Sequence, residues 1–332
     1  MANPLDDLKG KTISVNGVPM PDRKRLRISS YLATVADNSA GSTDLTISTP
    51  SGGSWERPPS PGLGDCYFDT DLGVPIWWSG TAWVDAGGVS TAITFDLLDA
   101  DYYWIADYGV TTEDGAVTIW DDRIANVETF NTTGTPTHDS TNANWNGLPA
   151  VDFDVTLEDH LLVNPADWSY ANQEFFHDGT TDWEIQLPFR PTTLVGTVLG
   201  TQGEYDDSVG FALRVDSAGR VLVTIGNGTD TRTAQTTVGL VTAGSKCVIG
   251  ARYTSSTSTL EVSFNGSFDY GAGVLVNFTP STSSGYTLNI MAAGDDKLIG
   301  DGSLPEVMML KRKLTANERI NLINYWTETY DI

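Results

Sequence analysis

The sequence predicts a mostly β protein: a small N-terminal β unit and an aromatic β-hairpin module, then a large two-sheet sandwich with one C-terminal helix. Three observations predict it. Thr, Ser, Gly, Asp and Val abound while helix formers are scarce, a composition that suits short strands joined by polar turns. A length of 332 residues exceeds one small fold and accommodates one β domain of about 200 to 250 residues plus appendages. After residue 93 the chain runs as short apolar-alternating segments separated by turn residues, with no internal period that would indicate a propeller or solenoid.

Residues 1–50 form the first unit. KTISV, RLRISSYLATVAD and TDLTIS alternate in polarity, with Asn16-Gly17 and the run Asn38 to Ser42 as turns. The unit is too small to bury its own apolar face, so it is expected to dock on neighbours, which predicts oligomerisation. Residues 51–92 are a linker and hairpin module. In TPSGGSWERPPSPGLGD (49–65) proline stiffens an extended path and removes ladder donors. Ser79-Gly80 is the expected turn between Ile76-Trp77-Trp78 and Trp83-Val84. Trp77, Trp78 and Trp83 are expected to pack at a subunit junction, because large rings supply buried area that a small module otherwise lacks.

Residues 93–332 make the sandwich. AVTIWDD, PAVDFD, WEIQLPF, VGFALRV, GRVLVTIG, SKCVIGARY, TLEVSF, YTLNIMA and EVMMLK are its strand candidates. The end differs. Thr315 and Glu318 form a capping box, and Ile320, Ile323 and Trp326 follow at helical spacing. This predicts a helix of about three turns with that stripe packed on the sandwich.

The formal charge of −24 argues against nucleic acid or an anionic membrane as partner, since both demand a positive field. The charge is uneven: residues 1–30 hold six basic and three acidic side chains. Arg23, Lys24, Arg25 and Arg27 read either as an electrostatic anchor for an acidic partner surface or as a solvated loop edge. Cys66 and Cys247 lie far apart, and His138, His160 and His177 lack metal-ligand spacing, so no zinc site is expected. No apolar run approaches the roughly 20 residues of a membrane span, and MANPLDDLKGK lacks the apolar stretch of a signal peptide. Synthesis in a cytoplasm is expected, with both cysteines as buried thiols.

Several stretches match known families. PSPGLGDCYFDTDLGVPIWWSGTAWVDAGG (59–88) resembles a short module of tailed-phage fibre proteins, in which YFDT and a glycine precede P-x-W-W-x-G-x-x-W-V-D. VNGVPMPDRKRLRISSYLATVADNSAGSTDLTIS is similar to the N-terminal part of phage head and tail fibres. The C-terminal block resembles concanavalin-A-like lectin/glucanase domains of the laminin-G-like group. The residues that carry this are VTIWDDR, NGLPAVDFD, FFHDGTTDWEIQLPFRPTT, GFALRVDSAGRVLVTIGNG, LEVSFNG and the L-T-x-x-E-R helix, in the family's order. The resemblance implies a jelly-roll sandwich, a virion-surface location and attachment through the N-terminus to capsid or other virion proteins. A homo-oligomer is expected, a trimer as in most phage fibres; head and tail attachment stay equally open.

Catalysis finds no support in the residues. The E-x-D-x-x-E stretch of glucanases resembling family sixteen is absent, as are GxSxG and a complete phosphate loop around Gly10-Lys11-Thr12. Asp152 and Asp154 are the best carboxyl pair, on one face by strand periodicity, with an outer strand face as the plainer reading. His177-Asp178 reads as structural. No cofactor is required; calcium is the one ion left open, through Asp121-Asp122, Asp206-Asp207 and Asp295-Asp296. The expected function is therefore that of a non-enzymatic virion structural protein, a head fibre, spike or decoration, displaying a lectin-like domain toward host-surface glycans, with Trp145, Tyr205, Asp206 and Tyr270 as sugar-contacting candidates. The alternatives are a tail-fibre receptor-binding protein, a capsid decoration that binds no sugar, and a depolymerase.

Overall fold

The computed structural model describes residues 14–15, 18–19, 33–37, 43–47, 51–58, 61–62, 65–70, 72, 74–79, 83–84, 100–124, 129–163, 174–176, 178–202, 209–274, 287–294 and 296–332. The Arg23, Lys24, Arg25 and Arg27 cluster lies outside them.

All nine strand candidates of the large block fall on strands, and the chain stacks them into two antiparallel sheets. The first sheet runs, edge to edge, Tyr102–Ile105, Glu306–Leu310, Trp183–Pro191, Cys247–Thr254, Thr259–Phe264 and Ser267–Val274. The second runs Val110–Glu113, Ala116–Asp121, Thr129–Thr133, His160–Val163, Asn289–Ile290, Gly196–Gly200, Gly210–Val215, Val221–Gly226 and Thr231–Gln235. Thr137–Asn142, Leu148–Phe153 and Gly302–Leu304 lead from Ala116 back to Arg190 and Pro191, so the end of the Trp183–Pro191 strand closes one side of the sandwich.

Strand alternation sorts the side chains. Trp104, Ile185, Leu187, Ile249 and Val262 of the first sheet meet Phe130, Leu161, Leu199, Leu213 and Val223 of the second in one buried core. Each such side chain contributes about 1.5–3 kcal/mol by leaving water.

The back of the first sheet is covered by the helix Ala316–Tyr330, whose Leu322, Trp326 and Tyr330 pack on Tyr103, Ile105, Val248, Met308 and Leu310. Its capping box forms as expected: Glu318 N donates to Thr315 Oγ1 at 3.2 Å, and Thr315 N to Glu318 Oε2 at 2.6 Å. The buried stripe differs from the expected one. Ile320 is 43% exposed and Ile323 lies at the flank, because the helix is rotated to bring Arg319 onto Glu184, and Trp326 and Tyr330 onto Glu306. At 15 residues it is also about one turn longer than expected.

In the leading unit, Ser14–Val15 pairs with Val18–Pro19 across Asn16-Gly17, and Ala33–Asp37 pairs with Thr43–Ile47. In the next module, Ser51–Gly52, Cys66–Asp69, Val74–Trp78 and Trp83–Val84 form a four-stranded sheet. Trp78 pairs with Trp83, so the two segments expected to flank Ser79-Gly80 do pair, with Gly80 itself outside the described residues. Trp83 is buried against Tyr67, Ile76 and Trp78 within the module itself, while Trp77 and Trp78 are half-buried. Arg57, 1% exposed, pairs with Asp69 at 2.7 Å beneath this sheet. The adjoining turn meets the helix: Asn317 Nδ2 donates to the Glu56 carbonyl at 3.0 Å and Asn321 Nδ2 to that of Arg57 at 3.1 Å. Both cysteines are free thiols; Cys247 is buried, Cys66 only half-buried.

Candidate functional site

The helix covers the back of the first sheet, and the outer face of the second sheet is, among the described residues, partly exposed. Register fixes its layout. One row across it reads Ile119, Asn131, Leu162, Asn289, Gly200, Ala212, Thr224, Thr233. The adjoining pair is Thr133 opposite His160. The row splits into two halves. Asn289, Gly200, Ala212 and Thr224 are buried, whereas Ile119, Asn131 and Leu162 are half-exposed and Thr133 is exposed.

The buried half is held by a polar network. Thr224 Oγ1 donates to Gln202 Oε1 at 2.6 Å, and Gly294 N donates to the Gln202 carbonyl at 2.8 Å. Asn289 Nδ2 donates to the Ala293 carbonyl at 2.7 Å and to Asp296 Oδ1 at 2.8 Å. A tight turn, with Ala293 N donating to the Lys297 carbonyl and Asp296 at φ 61°, throws the Asp296 carboxylate back over the sheet. There Asp296 Oδ1 lies 3.2 Å from His160 Nε2, within ion-pair distance but outside hydrogen-bonding angle. His160 is in turn fixed by Nδ1 against the Glu158 carbonyl at 2.9 Å.

The result is a patch in which Asp296 meets two neighbours of Leu162. Asn289, the strand neighbour of Leu162, donates to the carboxylate, and His160, two residues before Leu162 on the same face, lies 3.2 Å from it. Asp296 remains 56% exposed. Asn131 lies opposite Leu162 on the other flank, about 5 Å away as neighbouring strands require. An open carboxylate, an amide, a hydroxyl and an apolar platform therefore share one rigid surface, the arrangement that recognition by hydrogen bonds around a non-polar contact needs.

The sequence-derived candidates fall elsewhere. Trp145 is fully buried: its indole N–H donates to Ser303 Oγ at 2.8 Å and its ring meets Tyr330 edge-on at 5.6 Å, so it is a packing residue and no sugar platform. Tyr205 and Asp206 lie outside the described residues, as do His177 and the side chain of Tyr270, whose backbone pairs with Val262. Asp152 and Asp154 do not make a pair. Asp152 sits on its strand, accepting from Asn142 Nδ2, and burial with Asp139 nearby raises its pKa. Asp154 caps the following turn through Thr156, whose O–H and N–H hold its carboxyl below the usual range. The strand ends between them, so the alternation that would align them stops.

The aspartate pairs considered for calcium have other duties where they are described. Asp122 accepts from Tyr103 N at 2.9 Å and Ile124 N at 3.1 Å. Among the described residues, no group of three or more His, Cys, Asp or Glu side chains is placed to hold a metal ion. Asn131, Leu162 and Asn289 escaped the sequence reading because Thr129–Thr133 and His160–Val163 are short and carry no turn signature. Only the Asp295-Asp296 pair pointed to this place.

No protein-family model and no curated protein matches the chain. Solved structures show partial likeness. The CBM40 of the Ruminococcus gnavus IT-sialidase, bound to α2,3-sialyllactose, aligns over 43% of this chain and 83% of its own at 13% identity and a TM-score of 0.37. The binding domain of botulinum neurotoxin serotype G aligns over 69% of this chain and 51% of its own, at 11% identity and a TM-score of 0.47. The leech intramolecular trans-sialidase aligns over 46% and 24%, at 9% identity and 0.35.

Proposed function

We propose that this chain is a non-enzymatic surface protein of a tailed-phage or phage-like particle, whose sandwich binds carbohydrate through the outer face of its second sheet. The observation that carries the binding reading is the open patch of Asn131, Thr133, Leu162 and Asp296 on a sheet made rigid by the core behind it. The resemblance of residues 59–88 to fibre modules, and of the C-terminal block to lectin-like domains, supports the particle and glycan parts of the reading. Display in several copies would make weak sugar sites effective, since linked binding events multiply through effective concentration. Binding rather than hydrolysis fits the separate engagements of Asp152 and Asp154, since glycoside hydrolysis uses two carboxyl groups across one bond.

A glycan array probed with the full chain tests the binding half. Signal on a defined set of glycans, reduced by Asn131→Ala, is the expected result; silence over the whole array would leave a particle component that binds no sugar. Particle attachment is tested by electron microscopy of virions that carry the chain, where density of this sandwich outside the capsid or on the tail is expected.

A further inference from the structure

We infer that the ligand of the outer-face patch is an uncharged sugar presenting adjacent hydroxyl groups, an assignment that rests on the carbohydrate reading above and narrows it. The charge of the surroundings is the first argument. Among the described residues, the charged side chains on and beside the patch strands are Asp121, Asp122, Glu158, Asp159 and Asp296, of which Asp122 and Asp159 are buried, against Arg123 and Lys297. Arg214, the nearest base on the sheet face itself, stands two strands beyond Asn289, paired with Thr197. A sugar carboxylate or sulfate would enter a field set by these acids on a chain of net charge −24. Like charges in such proximity oppose binding.

The second argument is the donor and acceptor inventory. Asp296 accepts from Asn289 through Oδ1, with His160 Nε2 3.2 Å away, on a side chain that stays 56% exposed. An ionised carboxylate only accepts, so it selects a hydroxyl donor, and charge assistance makes that bond among the stronger ones available. Asn131, half-exposed across Leu162, offers a donor and an acceptor together. A pyranose with neighbouring hydroxyls can donate one hydrogen bond to Asp296, exchange another with Asn131 and lay a C–H face on Leu162. Among the described residues, none of Asn131, Thr133, Leu162 and Asp296 is a base that could match the charge of an anionic sugar.

The test is affinity electrophoresis of the full chain through gels containing, separately, mannan, galactan, β-glucan, polysialic acid and polygalacturonate at about 0.15 M salt, where surface charges more than about 8 Å apart are screened. Retardation by at least one neutral polymer and by neither anionic one is expected. Asp296→Asn, nearly isosteric, is expected to weaken that retardation about tenfold or more, in line with loss of a charge-assisted bond, and Asn131→Ala to weaken it with an unchanged melting temperature. Retardation by the anionic polymers alone overturns the inference while the carbohydrate reading stands. So does neutral-polymer binding that both variants retain in full. No retardation in any gel, together with a silent array, removes the carbohydrate reading itself.

Discussion

Arg319 of the C-terminal helix closes two nitrogens on the fully buried carboxylate of Glu184, Nε to Oε1 at 2.9 Å and Nη2 to Oε2 at 3.0 Å. The carboxylate is also met by Leu314 N at 3.0 Å and Gln186 Nε2 at 3.0 Å, so both its oxygens are satisfied. The Phe268 ring lies near the Arg319 guanidinium, 4.7 Å away, and near Arg252, which pairs with Glu261. Removing the cation leaves a charge in a dry layer. Arg319→Met is therefore expected to destabilise the protein by about 3–5 kcal/mol in urea unfolding, and the double variant with Glu184→Gln to recover a good part of it. A loss below about 1 kcal/mol in the single variant, the range of exposed ion pairs, would show that the helix is not anchored here.

Glu306 gives the fold a pH dependence of unusual sign. It has no exposed surface; Trp326 Nε1 and the Tyr330 hydroxyl donate to it. Burial pushes its pKa up to about 7, against the pull of the hydrogen bonds from Tyr330, Trp326 and Tyr103, and Asp107 adds to the rise. The folded state then binds a proton that the unfolded chain, with an ordinary glutamate near 4.5, has released. The stabilisation is complete below about pH 4.5 and is lost as pH rises through about 7. Asp69, Asp182, Asp216 and Glu318 work the other way, since hydrogen bonds and bases hold their carboxyls low and their contribution is lost in acid. The melting temperature is expected to peak in mildly acidic buffer and fall toward pH 8, a fall that Glu306→Gln should flatten. A flat profile for the wild type between pH 5 and 8 would contradict this.

At Gly250 the first sheet permits no side chain. A Cβ there would stand 2.4 Å from the Ile185 carbonyl and 2.5 Å from Gln186 Oε1. Gln186 is itself buried and accepts from Ser263 Oγ at 3.2 Å. Gly250→Ala is expected to cost about 1–3 kcal/mol through overpacking, readable as a lower urea midpoint with an unchanged slope.

These sites mark where the sequence was legible. Strands with a clear two-residue alternation, such as Val221–Gly226, and the capped helix were readable because one periodicity decides each. Thr137–Asn142 and Val110–Glu113 were not, for their polar residues carry no alternation and become strands only by pairing with neighbours. Tyr102–Ile105 is buried on both faces, so its run YYWI has no polar side to reveal it. The candidate patch was hidden for a different reason: Asn131, Leu162 and Asn289 are brought together by pairing across more than 150 residues, which no local pattern records. Trp145 misled because it precedes Asn146-Gly147, a turn signal that suggests exposure; the turn exists, with Asn146 at φ 59°, but it folds the indole inward under the helix.

The module that precedes the sandwich touches the helix through two amides. Asn317 and Asn321, one turn apart, donate to the consecutive carbonyls of Glu56 and Arg57, and the turn carrying those carbonyls is set by the buried Arg57–Asp69 pair. Such neutral bonds contribute about 0.5–1.5 kcal/mol each. The double variant Asn317→Ala, Asn321→Ala is expected to speed protease cleavage in residues 57–65 severalfold while leaving the main unfolding transition in place. Unchanged cleavage would mean that these amides do not hold the module to the sandwich.

Trp145 offers a separation of stability from recognition. Phenylalanine at this position keeps most of the ring contact with Tyr330 but removes the donor to Ser303 Oγ, a hydroxyl 158 residues away in sequence and itself on a buried residue. Trp145→Phe is expected to lower stability by about 1–3 kcal/mol, the range for stranding a buried polar group. Since the indole has no exposed surface and packs at the helix-covered back of the sandwich, binding of any retained polysaccharide should be unchanged below the melting temperature. The reverse pattern, stability kept and binding lost, would return Trp145 to the ligand and move the recognition surface away from Asn131 and Asp296.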